Sequence, residues 1–151
     1  MENDSIEKIS KDILRNLPDP FLIRHKGIAG RILVIGGCEF YAGAPRLAAM
    51  GALRSGAGLV TIAAPETLIP RILGAAPDIM ALPLPGNSWS IDHVPSLLKF
   101  ASRCDCVVLG PGMGRGEGQT AFTATFLSHD ERPPCVIDAD ALIAARKANA
   151  L

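Results

Sequence analysis

The sequence has no net field, because fifteen Lys and Arg offset fifteen Asp and Glu and neither sign gathers into a long run. Nothing therefore draws the chain electrostatically to nucleic acid or an anionic membrane, and a small molecule is the expected ligand. It also has no stretch near the ~20 apolar residues of a membrane span. The amino terminus, MENDSIEKISKDILRNL, lacks the apolar core of a signal peptide. A soluble, cytoplasmic protein is the expectation. No Cys-x-x-Cys pair occurs among Cys38, Cys104, Cys106 and Cys135, and His25, His93 and His129 stand far apart. Reduced thiols and no zinc are expected.

What is present begins with enough apolar sequence, 48% of 151 residues, to bury one full core. One domain over 1–151 is the starting expectation. Residues 1–17 mix acids and bases at helical spacing, and the Pro-rich LPDPF (17–21) stops that helix. Short β-branched runs then predict five strands: Arg31–Ile35, Leu59–Ala63, Ile79–Pro83, Asp105–Leu109 and Cys135–Asp138. Four of the five are apolar without strict alternation, as strands buried on both faces are. Helices are predicted near 45–55, 66–75, 93–102, 117–128 and 140–149, with Pro45 in the first turn of one and Gly56 just past its end. Its small face of Ala48, Ala49, Gly51 and Ala52 reads as packing. Strand and helix alternation predicts a parallel α/β sheet with helices on both faces.

Ligands of such sheets collect outside the carboxyl ends of the strands, and three of the five ends are unusual. Strand one runs into Gly36-Gly-Cys-Glu-Phe-Tyr-Ala-Gly-Ala-Pro45. That loop either suits an anion at a helix start or makes a tight strand-to-helix turn. It is no Walker loop, since no Lys-Ser or Lys-Thr follows Gly43, and it lacks the G-x-G-x-x-G spacing. Strand four ends in Gly110-Pro-Gly-Met-Gly-Arg-Gly-Glu-Gly118, a glycine density that favours a ligand-cradling loop. Strand five delivers Asp138-Ala-Asp140. Asp138 reads equally as a ligand for magnesium or a hydroxyl and as the N-cap of the next helix, while Asp140 reads as structural.

Taken in order, His25-Lys-Gly27, Val34-Ile-Gly-Gly37, Tyr41-Ala-Gly-Ala44, Leu53-Arg-Ser-Gly-Ala-Gly-Leu-Val-Thr61, Gly110-Pro-Gly-Met-Gly114 and Asp138-Ala-Asp-Ala-Leu142 resemble one family's motifs. That family is the ADP- or ATP-dependent NAD(P)H-hydrate dehydratases, a ribokinase-like branch, and the resemblance runs from about Leu17 to the end. It implies a three-layer ribokinase-like fold, mostly parallel. The implied reaction phosphorylates the hydroxyl of hydrated NADH or NADPH (S epimer) and eliminates phosphate to restore the nicotinamide. ADP or ATP and Mg2+ are the implied co-reactants.

The resemblance further implies that Ala44 and Gly114 line the substrate, that Asp138 sits at the rim, and that Gly36, Gly37 and Gly112 supply backbone shape. Cys38 stands where the family commonly has Ser, a volume-neutral change that weakens any hydrogen bond made there. The family's second half, with its His-Pro-Gly-Glu and Gly-Ser/Thr-Gly-Asp segments and the catalytic aspartate, has no counterpart in these residues. The expectation is an amino-terminal part of one ribokinase-like domain, cut after about five strands. On that expectation it has no catalytic residue of its own, is inactive alone, and either self-associates or needs the remaining half. Two other readings share the layout: another ribokinase-like small-molecule kinase, and a non-catalytic nucleotide-binding subunit.

Overall fold

The computed structural model describes residues 12, 29–74 and 76–150. Apart from Asp12, the helix expected over 1–17, its Pro-rich stop and the His25-Lys-Gly27 motif lie outside the described residues. The β-branched runs form β1 (Arg31–Ile35), β2 (Leu59–Pro65), β3 (Met80–Leu84), β4 (Cys106–Leu109) and β5 (Cys135–Ile137). Among the helices, α1 (Gly43–Arg54) follows β1, α2 (Ile69–Leu73) follows β2, and α3 (Val94–Ala101) follows β3. Then α4 (Glu117–Leu127) follows β4 and α5 (Ala139–Lys147) follows β5. Single 3-10 turns, Glu66–Leu68 and Ile91–His93, lead into α2 and α3.

The five strands form one parallel sheet in the order β3-β2-β1-β4-β5. Side chains alternate across β1: Leu33 and Ile35 join the core beneath α3, α4 and α5, where Leu97, Phe122, Phe126 and Ala145 are fully buried. Val34 faces the other way, with Val60, Ile62, Ala49 and Ile72 beneath α1 and α2. Burial on both faces is what a central parallel strand needs.

The outer strands depart from that expectation. Met80 on β3 is 45% exposed and Val136 on β5 is 56% exposed, since each strand has a neighbour on one side only. The edge position also explains Pro83 inside β3, where a missing N–H disturbs no second ladder. Within α1, Ala49 is buried and Ala48 and Ala52 pack against the same core, whereas Gly51 is exposed and takes no part in that packing.

All four cysteines are free. Burial pushes the Cys135 thiol up to about 11, against a smaller downward pull from Arg132. Among the described residues no helix is long and apolar enough to cross a membrane.

One topological feature positions the site. From β3 the chain returns past β2 and β1 to place β4 on the far side of β1. The segments leaving β1 and β4 therefore part in opposite directions, and a crevice opens between the carboxyl ends of those two strands.

Candidate functional site

Two loops wall that crevice. Leaving β1, the chain passes through Gly36 and Gly37, both buried. The Gly36 N–H donates to the Ala63 carbonyl at 3.3 Å, and the Gly37 N–H to the Pro111 carbonyl at 2.9 Å. Trp89 Nε1 donates to the Gly37 carbonyl at 2.9 Å. From the β4 side, the Gly110 N–H donates to the Ile35 carbonyl at 2.9 Å. These bonds bind the loops into one unit, but they also occupy the amides that an anion at Gly36 and Gly37 would need. What the glycine pair supplies is backbone shape beneath the cleft.

Close approach of the loops is decided at Gly112, where φ is +62°. A Cβ there would run into the Tyr41 carbonyl oxygen and come within 2.9 Å of Tyr41 Cβ and 3.0 Å of Ala44 Cβ. Only glycine allows this contact. Above it opens a cleft of about 510 Å³, a volume that suits a small-molecule ligand.

Cys38, Phe40, Tyr41 and Ala44 line the cleft from the β1 side, and Gly112, Gly114 and Arg115 from the β4 side. Ala139 and Asp140 complete it from the start of α5. Phe40 and Tyr41 are 80% and 58% exposed, large apolar groups left at the mouth where an aromatic ring could stack on them.

The carboxylate that reaches the cleft is Asp140, read from the sequence as structural. Its Oδ2 accepts the Gly114 N–H at 3.0 Å and its Oδ1 accepts from Arg115 Nε at 3.0 Å. Asp138 is exposed and absent from the lining. It occupies the N-cap position of α5 without a side-chain capping bond. Between the two, Ala139 has φ +47°, a left-handed conformation that costs an alanine ~1–2 kcal/mol and is held beside the cleft by its surroundings.

Of the six residues singled out from the sequence, Ala44, Gly112 and Gly114 therefore come together in one lining. Gly36 and Gly37 lie beneath it, and Asp138 lies outside. Sequence reasoning missed Arg115 and Asp140. It also missed Trp89, whose bond to Gly37 spans 52 residues of chain; no local signal announces so distant a partner.

Among the described residues no three His, Cys, Asp or Glu side chains converge as a cation site, and both oxygens of Asp140 are already engaged. This lining offers no unengaged carboxylate to hold the magnesium of a nucleotide. A second cleft of about 460 Å³ opens near β3 beside His93. There His93 Nδ1 accepts from the Ser90 N–H at 3.3 Å and Nε2 meets the Pro85 carbonyl at 2.9 Å, so both ring nitrogens have partners.

The sequence profile of the family described as NAD(P)H-hydrate dehydratase matches residues 32–150. A bifunctional NAD(P)H-hydrate repair enzyme of Pyrobaculum aerophilum is 45% identical, covering 80% of this chain and 24% of the enzyme. An ATP-dependent (S)-NAD(P)H-hydrate dehydratase of Vitis vinifera is 34% identical, covering 91% of this chain and 43% of its own length. In three dimensions the chain resembles an ADP/ATP-dependent NAD(P)H-hydrate dehydratase from Bacillus subtilis, co-crystallised with ATP and Mg2+. The TM-score is 0.64 at 27% identity, over 88% of this chain and 46% of the other. A ribokinase-like protein from Enterococcus faecalis shares the fold, with a TM-score of 0.73 at 24% identity, over 93% of this chain and 48% of the other. The chain spans less than half the length of each of these proteins.

Proposed function

The chain belongs to the family of NAD(P)H-hydrate dehydratases, and from that premise we propose that its cleft binds hydrated NADH or NADPH for dehydration back to the intact cofactor. The observation that carries this reading is convergence: Ala44 and Gly114, 70 positions apart in sequence, line one cleft at the sheet's switch point. Small residues there admit the bulk of a ring system, and the exposed Phe40 and Tyr41 offer it flat apolar faces.

The phosphoryl donor in this reading is ADP or ATP with Mg2+. These residues hold and orient the dinucleotide, and the nucleotide donor is held elsewhere. Asp140 is the single carboxylate that the described residues bring to the lining, and both its oxygens are engaged in hydrogen bonds. Among the described residues no free base stands in the cleft to activate the substrate hydroxyl. The 151 residues alone are thus expected to bind without turnover. Incubation with hydrated NADH and either nucleotide should restore no reduced-nicotinamide absorbance above a nucleotide-free control. A rise above that control would overturn this part of the proposal.

Binding is tested at Ala44, which sits in the first turn of α1 and contributes to the lining without being part of the core. Ala44→Leu places three further carbons in the cleft. Affinity for NADPH, followed by nicotinamide fluorescence, should fall by roughly tenfold or more. Stability should stay within about 0.5 kcal/mol of the parent. Unchanged affinity would remove the first loop from the binding site.

A further inference from the structure

Among the described residues the cleft lining contains one cation, Arg115, and the way it is held leaves part of it free. Its Nε donates to Asp140 Oδ1 at 3.0 Å, while the other Asp140 oxygen accepts the Gly114 N–H at 3.0 Å. The Asp140 side chain is 13% exposed and the Arg115 side chain 68% exposed. A guanidinium has two further N–H-bearing nitrogens, Nη1 and Nη2, and among the described residues neither has a hydrogen-bonded acceptor. The carboxylate thus grips one edge of the fork and leaves the other without a partner among the described residues, on a side chain that lines the cleft.

An ion pair needed only to anchor the loop would be redundant here. The Asp140–Gly114 bond and the close contacts around Gly112 already fix it. Arg115 also differs in chemistry from the rest of the described lining, which is small or aromatic apart from Asp140. A ligand that carries both a ring and a phosphate would use both kinds of wall, and the planar guanidinium fork matches a phosphate in a bidentate way that an ammonium cannot.

We propose that Arg115 is the phosphate-binding residue of this cleft, taking a phosphate of the hydrated dinucleotide on its free Nη edge, with Asp140 as the positioning residue that aims it. This rests on the function proposed above. The phosphate is either the pyrophosphate common to both dinucleotides or the 2′-phosphate found only on NADPH, and the test separates them.

The chain and its Arg115→Gln, Arg115→Lys and Asp140→Asn variants are titrated with NADH and NADPH by nicotinamide fluorescence and with inorganic pyrophosphate by phosphorus NMR. Arg115→Gln should weaken binding roughly ten- to hundredfold. Arg115→Lys, which keeps the charge but loses the fork, should recover part of that loss. Asp140→Asn can still accept from Gly114 but no longer grips the guanidinium by charge, and should weaken binding roughly three- to tenfold. The double variant should be no weaker than Arg115→Gln alone, the coupling expected if Asp140 acts through Arg115.

A loss confined to NADPH identifies the 2′-phosphate, and an equal loss for both dinucleotides identifies the pyrophosphate; either result supports the inference. Arg115→Gln binding as tightly as the parent overturns it, as does a parent chain that takes up none of the three probes. Uptake of pyrophosphate through Arg115 with neither dinucleotide bound would keep the phosphate site and sink the function proposed above.

Discussion

Gly110→Ala is expected to lower stability by about 2–5 kcal/mol, combining ~1–2 for a left-handed alanine with ~1–3 for overpacking. Gly110 has φ +115°. A Cβ on it would run into the Asp138 carbonyl oxygen and lie 2.5 Å from Ala141 Cβ and 2.9 Å from Ala141 N. The obstacle is the backbone at the start of α5, which cannot rotate aside as a flexible side chain could. A loss of this size is comparable with the ~5–15 kcal/mol that holds a whole domain together.

The control is Gly51→Ala. Gly51 lies mid-helix on the exposed side of α1, and a Cβ there would meet nothing within 4 Å. The same substitution should stabilise by about 0.5–1 kcal/mol. Both are read by urea denaturation through Trp89, the single tryptophan, which is buried against the β1 loop. Destabilisation by Gly51→Ala equal to that by Gly110→Ala would show that the β4 loop is not under this constraint.

The second large effect separates two aspartates that look alike in sequence. Asp140→Ala removes the acceptor of the Gly114 N–H, a group in a buried residue, and should cost about 1–3 kcal/mol through that unsatisfied donor. The Arg115 ion pair adds little to stability, being exposed on the arginine side. Asp138→Ala should cost about 0.3–1 kcal/mol, the value of a negative charge at a helix start, because its side chain makes no capping bond. Asp140→Ala should also weaken dinucleotide binding by roughly tenfold or more, since Gly114 and Arg115 lose their common anchor. Equal effects of the two substitutions on stability and binding would contradict the assignment of Asp140 to the cleft.

These two residues also mark where sequence reading stops. Apolar runs gave β1 its observed bounds, Arg31–Ile35, because a central strand buried on both faces leaves an unbroken apolar signature. At Pro65 the signal failed: β2 was expected to end at Ala63 yet runs two residues further. A proline at a strand's last position forms no ladder bond through nitrogen and reads as a stop. The dense glycines after β4 drew attention to that loop as a whole, but Gly110, Gly112 and Gly114 have positive φ while Gly116 is extended. Composition does not distinguish them.

Asp138 fits the N-cap rule by position, and nothing in Asp-Ala-Asp announces a left-handed alanine between two carboxylates. Arg115 was passed over for a related reason. An arginine in a glycine-rich loop looks like a solvated charge until Asp140, 25 residues on, is seen to hold one edge of it.

The most direct test of the cleft is to follow backbone amide resonances of the chain by NMR while NADPH is added. Shifts are expected to concentrate at Ala44, Gly112, Gly114, Arg115 and Asp140, with Ser90 and His93 in the second cleft unmoved. Shifts gathered around His93, or saturable binding that leaves the Gly112–Arg115 amides in place, would contradict the assignment of the dinucleotide site to the junction of β1 and β4.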